Sequence, residues 1–254
     1  MKQPAMKQEV ALIVGAGPGV SASCARLFSK RGMRVVMAAR NPEKKALQAL
    51  AAQWDVQCLA CDASNEEQVQ ALFAQVVADH GAPSLVIHNI DGRDRQGARS
   101  TITEADAART FNVLQGSAMS AFHVAREAAR HMLAGPEPEG GHRGSIVITN
   151  ASAALKGFAN SAAFAMACQA KAGLAQSLAR ELMPQGIHVI HVPLDGAVGL
   201  RDAEGRQAHW SGIAAENDNM LDPDQVAELY CQLHHQSRST WAFEVVLRPW
   251  QERW

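Results

Sequence analysis

The chain has 254 residues, 47% of them hydrophobic and 19% charged, with a formal net charge of −1. That length predicts one domain, residues 1–254, and the balanced charge excludes both the basic face that nucleic acid requires and the acidic block of a disordered chain. No apolar run approaches the roughly 20 residues that cross a bilayer, the opening MKQPAMKQE lacks a secretory apolar stretch, and five scattered cysteines make no disulfide framework, so no membrane partner and a reduced cytoplasmic setting are expected.

Taken in order, Val10–Val14 reads as a strand and Val20–Arg31 as a helix. Arg34–Ala39 is a second strand, and Asn41-Pro42 has the form of an N-cap and first helical residue. Val56–Ala60 is a third strand. Cys58 and Cys61, in its apolar run VQCLAC, form a CxxC with no second pair at zinc spacing, so they read as core and no metal is expected. Ser64 with Glu67 has the pattern of a capping box. Ser84–His88 is the fourth strand and Ala105–His131 a long helical stretch. Gly135–Gly144 is a loop rich in Gly and Pro. Ser145–Thr149, Phe164–Met183 and Ile187–Val192 follow as strand, helix and strand. Asp222-Pro223 opens a helix to about His234, and Ala242–Leu247 is the last strand. Strands alternating with helices predict an α/β fold of the Rossmann type: a doubly wound, parallel seven-stranded sheet with helices on both faces.

VGAGPGV joins the first strand to the first helix. Gly15, Gly17 and Gly19, with Pro18 and Val20, form a turn that lets backbone approach a pyrophosphate at a helix N-terminus. The second strand ends Ala38-Ala39-Arg40-Asn41. An NAD site usually carries an acid there for the ribose 2′-hydroxyl; a guanidinium suits a 2′-phosphate instead. NADP(H) is therefore expected in preference to NAD(H).

With VGAGPGVS, CDAS after the third strand, IHNID ending the fourth, FNVLQGS, GSIVITNASA and LAQSLAREL, the chain resembles the short-chain dehydrogenase/reductase family over essentially its whole length. Its ending, RSTWAFEVVLRPW, is similar to that of a subgroup that also has Phe at the usual Tyr position. The resemblance implies that Asp62 and Ala63 meet the adenine, that Asn89 and Ile90 line the cofactor, and that Ser21 replaces a glycine. It places Val198, in LDGAVGL, on the nicotinamide side.

The family works with Asn, Ser, Tyr and Lys. The resemblance places the Asn at Asn112 and the Ser at Ala151, with Ser152 one residue on. Aligning AKAGL would make Lys171 the family's Lys, but this needs a deletion within a packed helix. The gapless register puts Phe164 at the Tyr position and Cys168 at the Lys position. Phe164 cannot exchange a proton, and Cys168 reads as a core thiol. Lys171 lies near the same helix face as Phe164 but about 10.5 Å further along, and reads as a solvated charge or interface residue. Ser152 is the hydroxyl expected beside the reacting carbon.

Three functions are compatible with this pattern. The first is an NADP(H)-dependent oxidoreductase acting on a small carbonyl or alcohol through an atypical site, with Ser152 and Asn112 handling the proton. The second is a non-catalytic NADP(H)-binding sensor or structural partner. The third is a lyase or isomerase using His88, Asp91 or Cys168. The resemblance also implies a homodimer or homotetramer.

Overall fold

The structure, a computed structural model, describes residues 8–93, 99–201, 207–208 and 216–252. In β1 (Val10–Val14), Ala11 and Ile13 pack on one side of the sheet and Val10, Leu12 and Val14 on the other, all of them buried. Strand side chains alternate, so a strand apolar at every position must be covered on both faces. The same holds for Val35–Ala38 in β2 (Arg34–Ala39) and for β4 (Leu85–His88), both buried between helical layers.

With β3 (Val56–Ala60), β5 (Gly144–Ala151) and β6 (Ile187–Leu194), these strands form a six-stranded sheet in the order β3-β2-β1-β4-β5-β6, every pair parallel. The strand order reverses between β1 and β4. Their carboxyl ends therefore open a crevice, where a doubly wound fold takes its ligand.

Helix α1 (Val20–Lys30) packs against α7 (Pro223–His234) on one face, and α3 (Glu66–His80) against α5 (Ser120–Ala134) on the other. Two more helices carry the site, α4 (Ala107–Leu114) and α6 (Ala162–Leu182). No helix among the described residues is long and apolar enough to cross a membrane.

Four expectations need correction. The sheet has six strands rather than seven. The seventh stretch, Ala242–Leu247, runs beside β6 through the parallel bridges His191–Glu244 and Leu194–Leu247 without becoming a continuous strand. The stretch Ala105–His131 is not one helix, because a π-helical turn, Gln115–Met119, separates α4 from α5. Asn65 rather than Ser64 caps α3: its Oδ1 accepts from the Gln68 N–H at 2.9 Å, while Ser64 Oγ donates to Asp62 Oδ1 at 2.7 Å. Asn41 does not cap α2 (Lys45–Trp54), since its Oδ1 accepts from the Glu43 N–H in a local turn.

Candidate functional site

The turn after β1 begins with Gly15 at φ +105°, a conformation that side-chain-bearing residues rarely adopt. A Cβ there would also overlap the carbonyl oxygen of Asn89. Ser21 locks this approach: Asn89 Nδ2 donates to Ser21 Oγ at 2.7 Å, and Ser21 Oγ donates to the Gly15 carbonyl at 2.8 Å. The serine in place of a third glycine thus ties the turn to the end of β4.

Gly17 faces open space, with no atom within 4 Å of a Cβ built on it. Gly19 is the N-cap of α1. No side chain caps that helix end, and no acid stands in its first turn. Its positive dipole end is therefore free to meet an anion. This cradle fits a pyrophosphate.

The turn opens into a cavity of about 290 Å³ lined by residues from the turn itself, the start of α1, the loop after β4, the end of β5, α6, and the end of β6 with the segment after it. Gly15, Gly17, Gly19, Val20, Asn89, Ile90, Phe164 and Val198 all line it. Arg40, Asp62 and Ala63 lie away from this cavity, along the same edge of the sheet. The N–H groups of Gly15 and Ala16 donate to Ala38, so the exposed Arg40 at the end of β2 neighbours the glycine turn. Cys61 N–H donates to Ala39, which brings Asp62 and the buried Ala63 next in line. Pro18 is exposed on the turn's outer side.

The reacting side departs from expectation. Asn112 is exposed on α4 and does not line the cavity. Ser117, in the π turn, packs against the loop after β4: a Cβ on Gly92 would come within 2.6 Å of Ser117 Cβ. Ser117 Oγ is buried with no hydrogen-bond partner. A π turn inserts an extra residue and rotates the helix face, so the spacing from Asn112 does not predict which side chain turns inward. Ser152 does not line the cavity either. It opens a short 3₁₀ turn, where its carbonyl accepts from Leu155 and Lys156.

Cys168 is fully buried against Ala153 and Phe164, behind the cavity wall. Burial pushes its thiol up to about 11, so it stays neutral and carries no charge to the site. The only tyrosine of the chain, Tyr230, is buried in α7 with its hydroxyl 2.9 Å from Thr149 Oγ1. Burial raises its pKa, so it stays protonated.

Lys171 is neither solvated nor an interface residue; it is 2% exposed and lines the cavity. Its Nζ donates to the carbonyls of Ile90 and Thr149, both at 3.2 Å. Among the described residues no carboxylate forms an ion pair with it. Burial lowers its pKa, partly opposed by Cys168 and Asp91. Sequence spacing missed this because it compares backbone positions. Side chains on a helix point back toward its N-terminus. Lys171 therefore reaches from its own turn toward Phe164.

Opposite it, Asp91 and Arg93 line the mouth of the cavity. Arg93 Nε donates to Asp91 at 2.8 Å, and the guanidinium lies 4.4 Å from the centre of the Phe164 ring. His88 is not the partner of Asp91. It is buried, with Nε2 2.8 Å from Ser120 Oγ, and burial holds its pKa well below the usual histidine value.

The family model described as enoyl-(acyl carrier protein) reductase matches residues 15–241. A 3beta-hydroxysteroid dehydrogenase of Mediterraneibacter gnavus is 29% identical over 183 residues, 71% of this chain and 63% of that protein; the match thus spans less than two thirds of that relative. The crystal structure of a short-chain dehydrogenase from Rhodopseudomonas palustris superposes with a TM-score of 0.77 at 31% identity, covering 95% of this chain and 99% of that one. A metagenomic short-chain oxidoreductase in complex with NADP shares the fold, with a TM-score of 0.71 at 22% identity and coverage of 95% and 97%. Together with a glycine turn at the strand-order reversal, these matches show that the chain belongs to the short-chain dehydrogenase/reductase family of nicotinamide-dependent oxidoreductases.

Proposed function

We propose that the protein is an NADP(H)-dependent oxidoreductase acting on a small carbonyl or alcohol, with Lys171 as the working cation of its site. The observation that carries this reading is the burial of Lys171 in the cavity beside the ends of β4 and β5. An ammonium taken out of water without a carboxylate is destabilising, by several kcal/mol on the order of magnitude. A cavity that keeps one has a use for the charge.

The glycine turn and the uncapped end of α1 hold the pyrophosphate. Arg40 pairs with the 2′-phosphate, and Asp62 with Ala63 flanks the adenine. Asn89, Ile90 and Val198 line the path to the nicotinamide ribose, which Lys171 holds. The cofactor, when bound, supplies or accepts the hydride. Phe164 walls the pocket and excludes water. Lys171 and the Arg93 guanidinium offer N–H groups to an oxygen that gains negative charge, and Lys171, its pKa lowered, can give up a proton there. This moves the proton role from Asn112 and Ser152, which lie outside the cavity, to α6 and the loop after β4.

A second copy of the chain is the partner this reading implies. Phe111, Met119, Phe122 and Met166, on α4, the π turn, α5 and α6, expose large apolar surface. Apolar patches of that kind mark association faces.

Fluorescence titration with NADPH and NADH, followed by NADPH consumption across short aldehydes and ketones, tests the function. Tighter binding of NADPH and turnover of at least one carbonyl are expected. NADPH binding with silence across the panel would leave a cofactor-binding protein without this activity.

A further inference from the structure

At the opposite end of β1 from the glycine turn, three side chains converge: Glu9, just before the strand, and His234 and His235, at the carboxyl end of α7. Their ligating atoms lie within 4.8 Å of one another. His234 Nε2 is 3.1 Å from Glu9 Oε1, and His235 Nε2 is 3.2 Å from Glu9 Oε2. Two ligands on a tetrahedral zinc, each bonded at about 2.0–2.1 Å, stand about 3.3–3.4 Å apart. The two Glu9–imidazole distances are already close to that spacing.

The second ring nitrogens sharpen the point. His235 Nδ1 lies 2.8 Å from the carbonyl of Cys231. A carbonyl only accepts, so Nδ1 carries the hydrogen. In the neutral ring Nε2 is then a lone pair, and it faces a carboxylate oxygen. Acceptor faces acceptor, and a cation must lie between them: a second proton on the ring, or a metal. His234 Nδ1 lies 2.8 Å from Ser145 Oγ, a hydroxyl that can accept from it while Nε2 binds a metal. Both rings are thus oriented from behind by a backbone carbonyl or a hydroxyl, as metal-binding histidines generally are.

We infer that Glu9, His234 and His235 form a binding site for one divalent transition-metal ion, of the zinc type. Two imidazoles and one carboxylate suit zinc, cobalt or nickel rather than calcium or magnesium, which prefer all-oxygen sets. His234 is buried while His235 and Glu9 reach solvent, so the ion keeps an open side for water. Bound there, it fastens the start of β1 to the end of α7, closing a span of 225 residues between Glu9 and His234. It lies at the far end of β1 from the cofactor cleft, so the inference does not rest on the proposed catalytic role.

The test uses tag-free, full-length protein, stripped with chelator and exchanged into metal-free buffer. Isothermal titration with Zn2+ and visible spectroscopy with Co2+ give two readouts. One equivalent of Zn2+, a Co2+ spectrum of low-symmetry N and O ligation, and a rise in Tm with added Zn2+ are expected. Glu9→Gln and His235→Ala should each bind at least about tenfold more weakly while keeping wild-type NADPH affinity. His235 is exposed, so its variant tests ligation without emptying the core. No Zn2+ uptake by the wild type, or uptake that both variants match, overturns the site. A Glu9→Gln variant with lowered Tm in a protein that ignores Zn2+ and Co2+ also overturns it, leaving the cluster a hydrogen-bonded contact between the start of β1 and the end of α7.

Discussion

Lys171 and Phe164 stand seven residues apart on one face of α6, and both line the same cavity. Seven residues are close to two full turns, so the two side chains share a direction. The lysine takes its charge into the cavity from one turn beyond Cys168, which the gapless register aligns with the family's lysine.

This placement has a measurable cost. Burial lowers the Lys171 pKa from 10.5. Between the folded value and 10.5 the unfolded chain binds a proton that the folded chain has lost, so stability rises with pH across that window. Below the folded value the penalty is full. Lys171→Met should remove this alkaline slope in denaturation measured at a series of pH values. At neutral pH it should change stability by no more than about 1 kcal/mol, because relief of the buried charge offsets two carbonyls left unpaired.

The two glycines of the turn should separate folding from binding. Gly15→Ala puts a Cβ into the Asn89 carbonyl at a positive φ, so it should lower Tm as well as NADPH affinity. Gly17→Ala meets no protein atom within 4 Å and should keep the wild-type Tm. Its methyl group enters the space assigned to the phosphates, so NADPH affinity should fall at least about tenfold. Differential scanning calorimetry beside fluorescence titration reads both.

Arg40 is exposed, so the role proposed for it in choosing the cofactor can be tested without disturbing the core. Arg40→Ala should weaken NADPH binding by about 10- to 100-fold, the size of a charge-assisted phosphate contact. NADH affinity should be almost unchanged. Parallel titrations with the two cofactors check the ratio.

The apolar surface on α4 to α6 predicts association of copies. Phe111, 64% exposed, is the most exposed aromatic residue of that face. Phe111→Glu should shift the molar mass in light scattering to a smaller species and leave the folded monomer intact.

The fold and the glycine turn were legible because they rest on short-range rules. Continuous apolar runs gave β1, β2 and β3 with the bounds found, and three glycines at a strand–helix junction marked the cradle. The reacting side was less legible because it depends on where side chains point. Lys171 looked remote when its backbone position was compared with that of Phe164, yet a lysine can reach back along its helix. The resemblance placed the family's Asn at Asn112, which is exposed, while the π turn packs Ser117 against Gly92 in the loop after β4. Residues 94–98 and 209–215 lie outside the described residues, and so does Trp254.

The measurement that bears most directly on the account is the rate of NADPH oxidation by wild type and Lys171→Met, at saturating NADPH, across a panel of short carbonyl compounds. The account predicts that wild type reduces at least one of them and that the variant, still binding NADPH, loses about 10²-fold or more in kcat. Equal rates in the two proteins, or NADPH bound by both with no carbonyl consumed by either, would contradict it.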